Sequence, residues 1–302
     1  MKPVVSKDRT FFSIITPSYN MLPYLKACCS SIQDQGVALE HIIVDGDSTD
    51  GTPEWLASRP DIMSISEKDQ GMYDAINKGV KLSRGDILAY LNCDEQYLVG
   101  TLKRVQDFFL ANPSVDILFG NTLIIRPDGK LLAFRKGFTP RWQYFWGSYM
   151  YLHSSSMFIR RRVFQAGLIF DTSWKTIGDL DFVVRVLRNN FSVVHIKEYL
   201  SAFILTGSNL GLGKLVQSEL KAYRKSSPVW LRYCTWLTDA LIRAEKIGRG
   251  LYFEKMPLRY SVFPIGGTHD DYGPLATACR RDEAWAVHHP RPAWRRRYGG
   301  SV

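Results

Sequence analysis

No stretch of this 302-residue chain approaches the roughly 18 uninterrupted apolar residues that a membrane-spanning helix needs. Met1 to Thr10 is polar and lacks the apolar core of a secretion signal, so export is not expected. Cysteine is scarce, with five in all. Cys28 and Cys29 are adjacent, while Cys93, Cys234 and Cys279 stand alone. That odd, scattered set gives neither a disulfide framework nor zinc-ligand spacing, and it suits the reduced thiols of a cytoplasmic protein. No Gly-x-Gly-x-x-Gly follows the first apolar run and no Walker lysine loop occurs, which disfavours the ordinary dinucleotide and P-loop folds. No internal repeat is present. Acidic charge is the scarcer sign, 29 Asp and Glu against 39 Lys and Arg, for a net +10. The basic excess gathers in Arg160-Arg161-Arg162, in Lys214 to Arg249, and in the pairs and triplets Arg280-Arg281 and Arg295-Arg296-Arg297. No nucleic-acid-binding motif accompanies these clusters, so no nucleic acid is expected as partner. An anionic membrane, a phosphorylated substrate and a plain solvated surface all remain open.

What the chain does contain is an alternation. Phe11 to Thr16 reads as a strand, followed by a helix from about Met21 to Gln35 closed by Gly36. His41 to Val44 is a second strand, followed by a turn-rich octet in which Asp50 or Thr52 caps the next helix. Ile62 to Ser66 and Asp86 to Leu91 are the third and fourth strands, with a helix over Met72 to Leu82 between them. Strand and helix in turn predict an α/β fold with a parallel, doubly wound sheet. After Glu95 the pattern changes. A helix is expected over Leu98 to Leu110, and two separate strands over Asp116 to Gly120 and Thr122 to Arg126. The Asp128-Gly129 turn then leads into a strand over Leu131 to Arg135, so the sheet becomes mixed. Ser155 to Ile159 and Phe191 to Ile196 are further strands, with a helix from Asp179 to Asn189 between them.

Polar side chains begin where the apolar strands stop, at the sheet edge where open α/β folds bind ligands. Asn92 and Asp94, one residue apart after Leu91, offer oxygens to a hard divalent cation, which in turn can hold a diphosphate. SIITPSYN, VDGDSTDGT, EKDQGMYDAINKG, YLNCDE and GDLDF follow one another in that order, each at a predicted strand end or helix start. Together they resemble the family 2 glycosyltransferases. The resemblance covers roughly the first two hundred residues. It implies a GT-A, Rossmann-like doubly wound mixed sheet and inverting transfer of a sugar from a nucleotide-diphosphate sugar to a hydroxyl.

On that resemblance, Asn92-Cys93-Asp94 takes the place of the family's Asp-x-Asp, with Asp94 as ligand to Mg²⁺ or Mn²⁺. Asn92 departs from the acid at the first position and is a weaker ligand; capping of the following segment is the alternative role for these side chains. The octet that begins Asp45-Gly46-Asp47 implies contacts to the nucleoside, with Thr16, Pro17, Tyr19 and Asn20 lining the same pocket. Tyr19 either packs on the base or belongs to the core. Asp69, Gln70, Gly71, Tyr73, Asp74 and Asn77 form a third constellation, in which Asp69 approaches the base. Asp74 and Asn77, three apart on one helix face, approach the sugar and diphosphate. Lys78 reads as an exposed helix lysine. Asp179 is the general base, at a helix start whose dipole favours the ionised form, with Asp181 as runner-up. His153 either touches phosphate or acceptor or is structural. The aromatics from Trp142 to Tyr151 are either core or an acceptor channel.

Residues 1–210 are therefore expected to form the transferase domain, 211–262 a basic helical extension split near Pro228, and 263–302 a weakly ordered basic tail. The extension suits ordinary packing or peripheral contact with the inner face of an anionic membrane, the latter fitting a lipid-linked saccharide acceptor in polysaccharide or glycolipid synthesis. Two other functions compete. Nucleotidyl transfer usually wants a Gly-rich basic loop where TPSYN stands. A non-catalytic donor-binding subunit is given some room by Asn92.

Overall fold

A computed structural model describes residues 11–207 and 209–266; the rest of the expected basic tail, 267–302, lies outside the described residues. The first half follows the expected alternation. It runs β1 (Phe12–Ser18), α1 (Leu22–Gln33), β2 (Leu39–Asp45), α2 (Thr52–Ala57), β3 (Met63–Ser66), α3 (Met72–Leu82) and β4 (Ile87–Tyr90). Then come β5 (Glu95–Tyr97), α4 (Thr101–Ala111), β6 (Ile117–Ile125), β7 (Leu131–Arg135), α5 (Trp142–Gly147), β8 (Met157–Arg160), α6 (Arg161–Gln165), α7 (Gly178–Arg188) and β9 (Val193–Ile204). Three helices close the described chain: α8 (Lys214–Lys225), α9 (Val229–Tyr233) and α10 (Thr235–Gly248).

The nine strands described form one sheet in the order β3-β2-β1-β4-β8-β6-β9-β5, with β7 paired to β6. β3, β2, β1 and β4 are mutually parallel, and β8 joins β4 antiparallel. Alternation along each strand splits the core between two faces. Phe12 and Ile14 of β1, with Ile87 and Ala89 of β4, meet Cys28 and Ile32 of α1 and Val105 and Phe109 of α4. Ile15 and Tyr90 point the other way, onto Tyr73 and Ile76 of α3, Phe145 of α5 and Leu180 and Val183 of α7. Each such fully buried side chain contributes roughly 1.5–3 kcal/mol.

Three strand expectations change. β6 is one strand, not two. Gly120 lies where any Cβ would sit 2.5 Å from Leu200, and Asn121 carries the strand through a register shift by donating to Lys197 O at 2.7 Å. β9 runs on from Ile196 to Ile204, past the exposed Lys197 and Glu198. β5 was not foreseen; Glu95, Gln96 and Tyr97 pair antiparallel with Phe203, Ala202 and Ser201.

The C-terminal boundary also moves. Phe263 is buried and exchanges hydrogen bonds with Gln96, N–H to Oε1 at 2.7 Å and Nε2 to carbonyl at 2.9 Å. The chain therefore returns from α10 to the sheet, and its attachment extends past 262. Cys28, Cys29 and Cys93 are buried and Cys234 partly so, all as free thiols.

Candidate functional site

A cleft of about 520 Å³ opens at the carboxyl edge of the parallel strands. Six segments build it: the loop after β1, the one before α3, the turn after β4, the turn before β8 that carries His153 and Ser154, the segment entering α7, and Thr206 with Asn209, Leu210 and Gly211 after β9.

One end carries Tyr19, 64% exposed, and Asp69. Gly46 lies between them. A Cβ there would come 2.9 Å from Asp69 Oδ2 and 3.4 Å from the Tyr19 ring, so only glycine leaves this end open. Asp69 Oδ1 accepts from Gly71 N–H at 2.8 Å, where Gly71 adopts φ +117° to turn the chain into α3. An exposed aromatic face beside a carboxylate is chemistry for a planar, hydrogen-bonding ring such as a nucleobase.

The middle carries Asn92, Asp94 and Glu95. Glu95 belongs to β5 and is fully buried. Its carboxylate accepts from Asn92 N–H at 2.8 Å and Asn92 Nδ2 at 3.2 Å. That turns Oδ1 away from Glu95, and Oδ1 is a buried oxygen without a hydrogen-bond partner among the described residues. Asp94 Oδ2 accepts from Asn209 Nδ2 at 2.6 Å. Burial raises the Asp94 carboxyl, against that donor, and burial together with Asp94 pushes Glu95 up to about 8. An acid pair so disposed gains from a cation beside it. Among the described residues no three His, Cys, Asp or Glu side chains cluster to hold a metal alone. The orphaned Asn92 Oδ1 and the carboxylate of Asp94 do fit a hard divalent ion that takes its other oxygens from a diphosphate and water.

Asp179 and His153 also line the cleft. Asp179 Oδ1 accepts from Leu180 N–H at 2.8 Å and from Tyr73 Oη at 3.2 Å; among the described residues Oδ2 makes no hydrogen bond. Gly178 makes this possible, because a Cβ there would lie 2.7 Å from the Tyr73 ring. The expected dipole effect does not prevail: burial raises the Asp179 carboxyl in spite of both donors. His153 Nδ1 accepts from Ser155 N–H at 3.4 Å, which puts the ring proton on Nε2. Burial pushes the imidazole down to about 3, so its 3.7 Å approach to Glu95 is not an ion pair.

The remaining sequence candidates divide. Pro17, Gly71 and Cys93 line the cleft, Cys93 donating its thiol to Pro17 O at 3.1 Å. Thr16 does not, being fully buried on β1 with its hydroxyl 2.9 Å from His41 Nε2. Asp45 does not either. It is fully buried and accepts from Ser48 N–H, Ser48 Oγ and Ser66 Oγ, which shapes the loop after β2. Asn20 accepts from Thr49 N–H at 2.8 Å and ties the same loop to β1, while Asp47 stands exposed at φ +68°. Asp50 receives N–H groups from both Leu22 and Thr52, capping α1 as well as α2.

Asp74 and Asn77 share a face of α3, but that face does not reach the cleft. Asp74 accepts from Gln70 N–H at 3.1 Å, and Asn77 is buried, bridging both backbone groups of Phe170 at 2.8 and 3.1 Å. Asp181 is buried in an ion pair with Arg185 at 2.7 Å, away from the cleft. Lys78 pairs with Glu67 at 2.7 Å. The aromatics from Trp142 to Tyr151 are packing residues rather than a channel. Trp146 stacks on Tyr223 of α8 at 5.7 Å, and Tyr151 on Phe138 at 4.3 Å. Tyr73, named from sequence within its motif but given no role, bonds to Asp179, and one site residue, Asn209, escaped sequence reasoning. Asn209 reads as one more turn former and carries no signal that sets it apart.

Residues 13–168 match the family described as Glycosyl transferase family 2. The chain is similar to a PGL/p-HBAD biosynthesis glycosyltransferase of Mycobacterium bovis BCG, 30% identical over 196 residues that span 59% of this chain and 70% of that one. It is also similar to an uncharacterized glycosyltransferase of Methanocaldococcus jannaschii, 24% identical, covering 74% of this chain and 80% of the other. Among solved structures it resembles S. aureus TarS, with TM-score 0.54 and 18% identity over 81% of this chain; it spans 44% of that protein's length. TarS residues 1–349 in complex with UDP-GlcNAc match with TM-score 0.54 and 17% identity, over 72% of this chain and 61% of that one. The Pyrobaculum calidifontis mannosyltransferase PcManGT, in complex with GDP-Man and Mn²⁺, matches with TM-score 0.50 and 17% identity, over 82% and 81%. At these identities the likeness to solved structures is one of fold, and that fold is GT-A.

Proposed function

The chain belongs to Glycosyl transferase family 2, and from that premise we propose that it is an inverting, divalent-metal-dependent transferase that moves a sugar from a nucleotide-diphosphate donor to a saccharide hydroxyl in cell-surface glycan synthesis. One observation carries this: Tyr19 and Asp69, Asn92 and Asp94, and Asp179 line a single cleft, which supports reading them as the groups that meet base, diphosphate and acceptor. The neighbours solved with UDP-GlcNAc and with GDP-Man and Mn²⁺ support a donor of that class.

Asp94 and Asn92 Oδ1 would hold Mg²⁺ or Mn²⁺, which when bound neutralises charge developing on the leaving diphosphate. The protein's own groups do the rest. Tyr19 and Asp69 seat the base, with Gly46 clearing room between them. Glu95 and Asn209 hold Asn92 and Asp94 so that no reorganisation is needed during transfer. Asp179 Oδ2 takes the acceptor proton as the oxygen attacks the anomeric carbon, while Tyr73 and Leu180 N–H keep Oδ1 in place. Burial raises its pKa, which makes it a stronger base than a solvated carboxylate. Attack from the face opposite the leaving group inverts the anomeric carbon. His153, neutral, has Nε2–H as its donor for acceptor or phosphate oxygen.

A thermal-shift screen of UDP-, GDP- and dTDP-sugars with Mn²⁺ identifies the donor, since binding to the native state alone raises stability. With that donor, Asp179→Asn is expected to abolish transfer and keep donor binding, whereas Asp94→Ala weakens binding of donor and metal. Full activity in both variants would sink the proposal. Pyrophosphate release from a nucleoside triphosphate plus sugar phosphate would point to nucleotidyl transfer instead.

A further inference from the structure

α10 is built inside out. At about 100° per residue, Trp236, Leu237, Ala240, Leu241, Ala244 and Ile247 fall within an arc of about 140°. That arc faces away from the protein, with Trp236 68%, Leu241 45% and Ile247 67% exposed. The inward face is the polar one. Thr238 and Lys246 are buried beside Ile242, Asp239 receives Ser148 Oγ, and Glu245 pairs with Arg141. α9 adds Trp230 at 54% and Tyr233 at 79% exposure, with only Leu231 fully buried. A helix packed merely to complete a core would show the reverse pattern, as α8 does with Tyr223 inward.

The charges follow the same division. Residues 211–262 hold ten Lys and Arg against four Asp and Glu. All four acids turn toward the protein or pair within it: Glu219 to the backbone of Lys175 and Thr176, Asp239 to Ser148, Glu245 to Arg141 and Arg249, Glu254 to Lys136 and Tyr199. Lys221, Lys225, Arg232 and Arg243 are exposed, and among the described residues none of them pairs with a carboxylate. The outward surface of α9 and α10 is thus aromatic and aliphatic, flanked by cations.

We propose that this face docks the protein peripherally on an anionic lipid bilayer. Trp and Tyr are side chains of the membrane interface, and arginines beside them extend their heads to lipid phosphates while their stems stay among apolar groups. Basic charge adds attraction to an anionic leaflet. A second copy fits less well, because a twofold contact through this face brings its flanking cations together. The chain beyond the described residues fits less well too, since residues 267–302 carry six Arg against four acids. Docking is a property of the surface, independent of the proposed chemistry in the cleft.

The test is flotation of the full chain with vesicles of phosphatidylcholine alone or mixed with phosphatidylglycerol. Binding to the mixed vesicles only, weakened by added salt, is expected. Tyr233→Ser with Trp236→Ser should abolish flotation, with donor binding and the circular dichroism spectrum unchanged. Arg232→Gln with Arg243→Gln should weaken binding roughly thirtyfold, the effect of two basic charges at the lipid surface. Failure of the wild type to float with either vesicle overturns the proposal, as does undiminished binding by both double variants. A dimer in light scattering that Trp236→Ser converts to monomer, without vesicle binding, overturns it in favour of a second copy.

Discussion

Lys246 offers a measurement that isolates one buried charge. It is 5% exposed, with its amine 3.2 Å from Tyr149 Oη and over the Tyr149 and Tyr151 rings at 5.3 and 5.8 Å. None of the ion pairs among the described residues includes it. Burial, helped by the charge of Arg135, pushes its pKa from 10.5 down to about 7. At about 1.4 kcal/mol per unit, that is a penalty of about 4–5 kcal/mol on the folded state wherever the unfolded chain holds the proton. The folded value lies below the unfolded one. The penalty is therefore full below about pH 7, shrinks as pH rises, and vanishes above about pH 10.5. Between about pH 7 and pH 9.5 it falls by about 3 kcal/mol.

Lys246→Met keeps the stem and removes the amine. The buried thiols of Cys28, Cys29 and Cys93, all raised by burial, destabilise the fold over the same window. They cancel when the variant is compared with the wild type at each pH. Urea unfolding followed by tryptophan fluorescence should show the variant more stable near neutrality. Its advantage over the wild type should shrink by about 3 kcal/mol on moving to pH 9.5. A difference that does not change with pH would show that the amine keeps its proton in the fold, and would refute the assignment.

Three further outcomes follow from the cleft and one from the helix face behind it. The raised Asp179 carboxyl places the acid limb of kcat/KM above the ordinary carboxylate range, and activity is lost as pH falls through it; Tyr73→Phe removes a donor that lowers this pKa and should move the limb higher still, so an unmoved limb rules out Asp179 as the base. Gly178→Ala puts a methyl against the Tyr73 ring and should cut kcat by about a hundredfold with donor affinity kept; an unchanged kcat refutes the placement of the base. Asn77→Ala strands both backbone groups of Phe170 and should cost about 2–4 kcal/mol in urea unfolding, with donor affinity intact; lost affinity without lost stability would return Asn77 to the sugar site. Removing divalent ions with EDTA should abolish donor stabilisation in thermal shift, restored by Mn²⁺; donor binding unaffected by EDTA rules out the metal role of Asp94.

The parallel half of the fold was legible because β1, β2 and β4 carry apolar runs buried on both sides and turn residues such as Gly36 and Pro53 mark helix boundaries. β5 was not, because Glu95-Gln96-Tyr97 has no strand pattern; its place is fixed by β9 and by Phe263, both distant in sequence. Lys197 and Glu198 hid the length of β9, since they cross the sheet's register shift where side chains reach solvent. In the site, Asp94, Asp179, Asp69, Tyr19 and His153 were named from sequence and share the cleft. Thr16, Asp45, Asn77 and Asp181 come from the same motifs but hold loops and helices in place. Sequence shows that a polar residue belongs to a motif, not which way it faces. Asn209 was hidden for the opposite reason, being an asparagine in a turn like any other until the fold carries it to Asp94.

The cleft is assembled from two unequal lengths of chain. Pro17, Tyr19, Asp69, Asn92 and Asp94 precede α4, whereas His153, Asp179 and Asn209 follow it. The family match ends at residue 168, before the proposed base. Strand pairing joins the two lengths through the sheet, and at the cleft the ties between them include the bonds from Tyr73 to Asp179 and from Asn209 to Asp94. A gene encoding such a chain can accumulate changes in its later part and acquire a new acceptor while the nucleotide pocket stays as it was. On the proposed function, a change that breaks either bond separates the sugar from the hydroxyl meant to receive it.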